Sequence, residues 1–210
     1  MDLWKMSLWQ LFLAGGPIMW PILLASVFAF AIILEKFWHL HKIRIDTQDF
    51  LTRILDKMKR HEVKDALQIC DNTKSPVAHI LKAGILKYDR PRARIVEAIE
   101  DASLYEVPKL EKNLPMLATI GHIAPLLGLL GTVTGMVRCF QVVQSKTTTL
   151  HPVSPGDLAG GIWEALLTTV AGLIVAIPTY VAYNYLVSRI NGFVLEMEKA
   201  STELVNFLTE

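Results

Sequence analysis

"GIWEALLTTVAGLIVAIPTY", residues 161–180, decides the class of this chain. The stretch is nearly all apolar and as long as a bilayer-spanning helix, which takes about 20 residues. Yet Glu164 stands near its start, and Thr168 and Thr169 follow one turn later. A carboxylate and two hydroxyls in a segment made for lipid ask for a purpose, because intramembrane polar groups are expensive.

The rest of the chain fits the same solvent. It has 210 residues, 52% of them hydrophobic, and a mean hydropathy of +0.36. That is too apolar for an ordinary soluble domain. Two more segments are long and apolar enough to span: 17–38, "PIMWPILLASVFAFAIILEKFW", and 114–143, "LPMLATIGHIAPLLGLLGTVTGMVRCFQVV". With 158–187, which contains the opening stretch, the sequence predicts an all-α membrane protein with three transmembrane helices and a helical cytoplasmic domain. The first segment is expected to be a retained anchor, since "MDLWKMSLWQ" lacks the strongly basic start of a cleaved signal.

The basic residues set the expected topology. All lysines and arginines fall between Lys36 and Lys112, except Lys5, Arg138, Lys146, Arg189 and Lys199. Positive loops stay inside. The sequence therefore predicts an interfacial helix over 1–16 at the outer surface, a cytoplasmic helical domain over 39–113, a short periplasmic loop over 144–157 and a cytoplasmic C-terminal helix over 188–210. Trp4, Trp9, Trp20, Trp38 and Trp163 lie near proposed span ends, where indole rings favour the interface. Cys70 and Cys139 fall on opposite sides of this arrangement, so no disulfide is expected.

Within the cytoplasmic segment, "DFLTRILDKMKR" and "HEVKDALQICDN" place apolar residues at helical spacing. Ser75 before Pro76 predicts a helix start. Pro91 opens another helix, expected to run on towards the second span with kinks at Pro108 and Pro115. Basic and acidic residues interleave here, which argues against a nucleic-acid surface. No nucleotide loop, nucleophile–base pair or metal-ligand cluster is present in the sequence, so neither an enzyme nor a cofactor or metal site is predicted.

The last two spans carry dense small residues. Gly128, Gly131 and Gly135 lie in "GLLGTVTG", and Gly161, Ala165, Thr168, Gly172 and Ala176 recur three or four apart. Lipid is as apolar as leucine, so membrane helices associate through close packing at such positions. These faces exceed what three spans can use among themselves, which favours an oligomer. Thr132 and Thr169 lie equally far from the outer ends of their spans, so they are expected at one depth, roughly 16 Å in. A threonine commonly bonds its own helix backbone; two at one level could instead line a hydroxyl ring in a multimer. Thr168, more than Thr169, shares the face of Glu164. His122 could relay protons or sit satisfied at an interface.

"APLLGLLGTVTGM" (124–136) and "GDLAGGIWEALLTTVAGLIVAIPTYVAYNYL" (156–186) resemble the MotA/TolQ/ExbB proton-channel family, and the first span resembles its ExbB branch most. The resemblance implies a homo-pentamer in the bacterial inner membrane, with two copies of an ExbD/TolR-like single-span protein in its pore. The partner brings a titrating aspartate, and proton flow drives motion passed to a TonB- or TolA-like protein. It implies that Thr132, Glu164 and Thr169 line the pore or proton route, with Thr168 doubling the threonine. Arg138 and His122 depart from the family pattern. A TolQ-like role in the Tol–Pal envelope system, or a passive scaffold without proton conduction, are the alternatives.

Overall fold

A computed structural model describes residues 7–147 and 154–209. It is all-α, with no strand among the described residues. The helices are α1 (Leu8–Ala14), α2 (Met19–Lys42), α3 (Thr47–Lys59), α4 (Val63–Asn72), α5 (Pro76–Ile85), α6 (Arg92–Glu111), α7 (Leu114–Thr147) and α8 (Pro155–Thr209). Three of the helical stretches are long and apolar enough to cross a membrane. Residues 1–6 of the expected interfacial helix and 148–153 of the expected outer loop lie outside the described residues.

The chain divides into two compact units. One comprises the described residues up to Leu34 together with Leu114–Asn184; the other comprises Glu35–Asn113 and Tyr185–Glu210.

In the first unit, α1 starts at a reciprocal cap. Ser7 Oγ accepts from the Gln10 amide, and the Gln10 side chain accepts from the Ser7 amide, 3.1 Å away. Phe12 then stacks on Trp9 and meets Trp20 edge-on, which pins α1 beside the start of α2. Between them the chain turns at Gly16, whose φ of +72° is the left-handed region that glycine enters without penalty. α2 buries Ile22, Ala29 and Ile32 and leaves Leu24, Val27 and Phe30 exposed. α7 and α8 show the same division: small residues inward, large apolar residues such as Leu126, Phe140, Ile174 and Val181 outward. A helix apolar on every side, with its bulky face unpartnered, suits lipid or a further copy of the chain.

The second unit is built around α5. Ala78, Ile80, Leu81 and Ile85 have no exposed surface; α4 and α6 pack on α5, and α3 packs on α4, burying Ile54, Ala66 and Ile95 among other residues. α3 is capped by Asp46, whose carboxylate accepts from the Gln48 and Asp49 amides. Ser75 occupies the N-cap of α5 with Pro76 in the first turn, but its hydroxyl makes no capping bond. Ile95, Ile99 and Val205 form a cluster that joins α6 to the last turns of α8.

The helix opened by Pro91 does not continue into α7. It ends at Glu111, and Asn113 takes a left-handed φ of +67° before α7 begins. Two residues at the end of the first apolar run hold this break. Lys36, 1% exposed, donates from Nζ to the Leu110 carbonyl at 3.0 Å, and Asn113 Nδ2 donates to Glu35 at 2.7 Å. Breaking the helix strips the last carbonyls of α6 of their partners, and a lysine at a C-terminus satisfies both the acceptor and the dipole. Pro115 therefore sits harmlessly in the first turn of α7, where its missing N–H is not needed, rather than kinking a longer helix. Pro108 lies inside α6.

Candidate functional site

The site is a seam between α7 and α8. Successive contacts run in opposite senses along the two helices, so the pair is antiparallel. Gly172 meets Ala124, Gly128 meets Thr168 and Thr169, Gly131 meets Thr168, Gly135 meets Gly161 and Ala165, and Gly161 meets Cys139. The approach is backbone to backbone. A β-carbon on Gly135 would stand 2.5 Å from the Gly161 carbonyl oxygen, and one on Gly172 would stand 2.6 Å from that of Ala124. No side chain fits at those distances, which is the physical reason for the small-residue stripe in the sequence. Ala165 and Ala176 are buried on the same face of α8, 6% and 5% exposed.

Polar groups enter this seam at one level. Thr168 has no exposed surface, and its Oγ1 is shared between the carbonyls of Ala165, at 2.9 Å, and Glu164, at 3.1 Å. A β-carbon on Gly131 would fall 2.0 Å from that oxygen, so Gly131 is the hole that Thr168 fills. Thr169 is half-buried. Its hydroxyl lies 3.1 Å from the Ala165 carbonyl and 3.4 Å from that of Gly128 on the opposite helix. Thr132 is half-buried next to Gly131, at the level of Thr168 and Thr169, and donates to the Leu129 carbonyl at 2.7 Å. Each hydroxyl reaches backbone of its own helix, so each is satisfied within one copy of the chain. Their oxygens keep lone pairs to accept with.

Glu164 is 7% exposed, with Arg138 of α7 as its partner: Nη1 donates to Oε2. The other carboxylate oxygen lies against Gly16, where a β-carbon would be 2.0 Å from Oε1. The turn after α1 thus closes over the carboxylate, and only a glycine leaves room for it. Sequence reasoning placed Arg138 near the outer end of the second span but did not pair it. The sequence alone does not pair them; it is the antiparallel register above that brings Arg138 and Glu164 face to face. Gly16, Thr179 and Cys139 were also missed as parts of the seam. Thr179 is 3% exposed and bonds the Val175 carbonyl at 2.7 Å; Cys139 donates to the Leu158 carbonyl at 3.3 Å.

His122 is exposed on α7, at the edge of its contact with α8. Its Nδ1 is 2.8 Å from the Ala118 carbonyl, which can only accept, so that nitrogen carries the proton. Its ring meets Tyr180 edge-on at 5.9 Å. Cys70 and Cys139 are both buried and fall in different units. Among the described residues no three His, Cys, Asp or Glu side chains gather as a metal ion would require.

The comparisons with known proteins point to one family. The profile described as the MotA/TolQ/ExbB proton channel family matches residues 72–199. A biopolymer transport protein ExbB homolog of Methanothermobacter thermautotrophicus is 30% identical over 190 residues, 90% of this chain; the chain spans 66% of that relative's length. An ExbB-like protein of Synechocystis is 31% identical over 172 residues, 82% of this chain and 81% of the relative. The Tol-Pal system protein TolQ of Haemophilus influenzae is 40% identical over 108 residues, 50% of this chain and 45% of the relative.

Proposed function

Because the chain belongs to the MotA/TolQ/ExbB proton channel family and is a multi-pass membrane protein, we propose that it is the channel-forming subunit of a proton-motive-force-driven motor in a bacterial inner membrane. Five copies enclose a pore that receives two copies of an ExbD/TolR-like single-span protein. The N-terminus and the loop around 144–157 face the periplasm; the segments 39–113 and 188–210 face the cytoplasm. The chain transduces energy and makes no bond.

The observation that carries this reading is the polar level at the α7–α8 seam: Thr168 and Thr169 packed on Gly128 and Gly131, Thr132 next to Gly131, and Glu164 roughly a turn outward, in largely apolar helices. The hydroxyls supply a neutral lining that takes and gives hydrogen bonds without carrying charge. The partner's acid does the titrating. Glu164, held by Arg138, sets the field at the outer approach. The driving force is adequate, since each charge crossing 100 mV releases about 2.3 kcal/mol. A few protons per step are enough to shift a packed helix interface.

The output is energising a TonB-like protein for outer-membrane transport. The match to TolQ supports a second reading with the same chemistry, in which a TolA-like protein of the Tol–Pal system is driven instead. A passive scaffold is the reading in which the satisfied hydroxyls do nothing further. Proton flux into vesicles that hold the chain and an ExbD-like protein separates these. Thr169→Val and Thr132→Val are expected to cut flux at unchanged assembly; wild-type flux in both removes the threonines from the route.

A further inference from the structure

We propose that the second unit holds a binding site for the phosphate of an anionic phospholipid headgroup, built from Arg44, His41 and Arg189. The proposal needs only the multi-pass character of the chain and is independent of proton conduction. A groove of about 1700 Å³ runs along the last part of α8 opposite the end of α2 and the start of α3. Its two ends differ in charge. Arg44 and His41, at the end of α2 and in the linker after it, and Arg189 with Ser188 on α8 line one end. All four are exposed, and neither arginine forms an ion pair among the described residues.

Arg189 is positioned rather than loose. Arg189 lies over the Tyr185 ring, 5.4 Å from its centroid, and donates from Nε to the Tyr185 hydroxyl at 3.0 Å. Tyr185 in turn stacks on Phe37 at 5.8 Å. The linker that carries Arg44 is tied to α8 just beyond, where Thr47 donates to Glu196 at 2.9 Å. Glu196 lies two turns along α8 from Arg189. Arg44, three residues before this anchor, lines the same groove as Arg189.

The groove also holds acids. Asp46 caps α3 and Glu196 accepts from Thr47, and neither forms an ion pair with Arg44 or Arg189 among the described residues. Glu198 and Glu203 lie nine and fourteen positions beyond Arg189, roughly 13 and 21 Å along the helix. Two unpaired guanidinium groups with a fixed aromatic floor match a phosphodiester in charge and in hydrogen-bond geometry. They stand where an apolar helix, α2, gives way to Trp38, His39, His41 and Lys42, the aromatic and basic mixture of a membrane–water boundary. Basic pockets between spanning helices at that level select anionic headgroups. Phe37, Leu40 and Leu186 line the same groove and provide apolar wall next to the charge.

The test is lipid retention by the full-length protein, purified in mild detergent, stripped of lipid and offered phosphatidylglycerol or phosphatidylcholine, with bound lipids counted by native mass spectrometry. The wild type is expected to retain phosphatidylglycerol in preference. Arg44→Gln with Arg189→Gln is expected to weaken that retention roughly thirty-fold. Lys199→Gln, at the other end of the groove, is expected to leave it unchanged. Arg44→Lys with Arg189→Lys keeps the charge but loses the planar fork, and is expected to bind between wild type and the glutamine pair. Equal retention of phosphatidylcholine, unchanged binding in the glutamine pair, or equal loss in both pairs overturns the proposal. So does displacement of the lipid by equimolar inorganic phosphate, which would make this a free-anion site.

Discussion

Arg138 and Glu164 stand 26 positions apart in sequence and close on each other across the α7–α8 seam. The carboxylate is almost wholly buried, whereas the guanidinium side chain is 49% exposed. The pair is therefore a bridge between a buried acid and a cation that still feels solvent. Removing Arg138 leaves Glu164 buried without its counter-charge. Arg138→Met is expected to cost about 1–3 kcal/mol, below the range of fully buried pairs because Arg138 is half-solvated. Arg138→Met combined with Glu164→Gln is expected to recover most of that loss. Thermal unfolding in detergent, run as a double-mutant cycle, reads both; strict additivity would show that the two side chains do not interact.

Gly131 is the tightest point of the seam. Alanine there collides with the Thr168 hydroxyl, and Gly131→Ala is expected to destabilise by about 1–3 kcal/mol through overpacking. Thr168→Ala in the same chain opens the space and is expected to relieve part of the cost. Gly192→Ala is the control. A β-carbon there meets nothing within 4 Å, so the change is expected to be neutral or to stabilise α8 by up to about 1 kcal/mol. Unfolding midpoints that put Gly131→Ala and Gly192→Ala at the same value would contradict this packing.

The break between α6 and α7 depends on Lys36. Lys36→Met keeps the stem and removes the donor, so the Leu110 carbonyl loses its partner in a buried place. The expected cost is about 1–3 kcal/mol. Asn113→Val, with a branched side chain forced into a left-handed φ, is expected to lower the midpoint as well, and Asn113→Gly to do so less. The ranking of Asn113→Val below Asn113→Gly is the measurement that checks the backbone argument.

Cys70 is 1% exposed, and loss of hydration on burial pushes its thiol up to about 11 from an ordinary 9.0. Alkylation by iodoacetamide at pH 8 is expected to be far slower in the folded chain than in denaturant. The stability consequence has a definite sign. A thiol whose folded value is raised favours the folded state while it stays protonated. Its contribution is intact below about pH 9 and falls away as pH rises towards about 11. Cys70→Ala is expected to flatten the pH dependence of the unfolding midpoint across that window.

Much of this molecule is decided by local chemistry. Three runs of apolar residues demand helices, because backbone groups in lipid have no other partners. The recurrence of Gly128, Gly131, Gly135, Gly161 and Gly172 marks faces where helices come close, since only small side chains allow it. The threonines and Glu164 stand out as polar groups in those same runs. The break at Asn113 was not legible in this way. "LEKNLP" contains no strong breaker ahead of its proline, and the helix stops there because Lys36, distant in sequence, satisfies the Leu110 carbonyl while Glu35 holds the Asn113 side chain.

The sequence by itself determined the all-helical class, the spans and the packing faces, because hydropathy and side-chain size act over a few residues. Only the tertiary structure decided what the polar groups touch. Whether Glu164 meets water, another carboxylate or Arg138 depends on the register of α7 against α8 and on the turn at Gly16. That register is set by the summed contact of many small residues, and no single position in the chain encodes it.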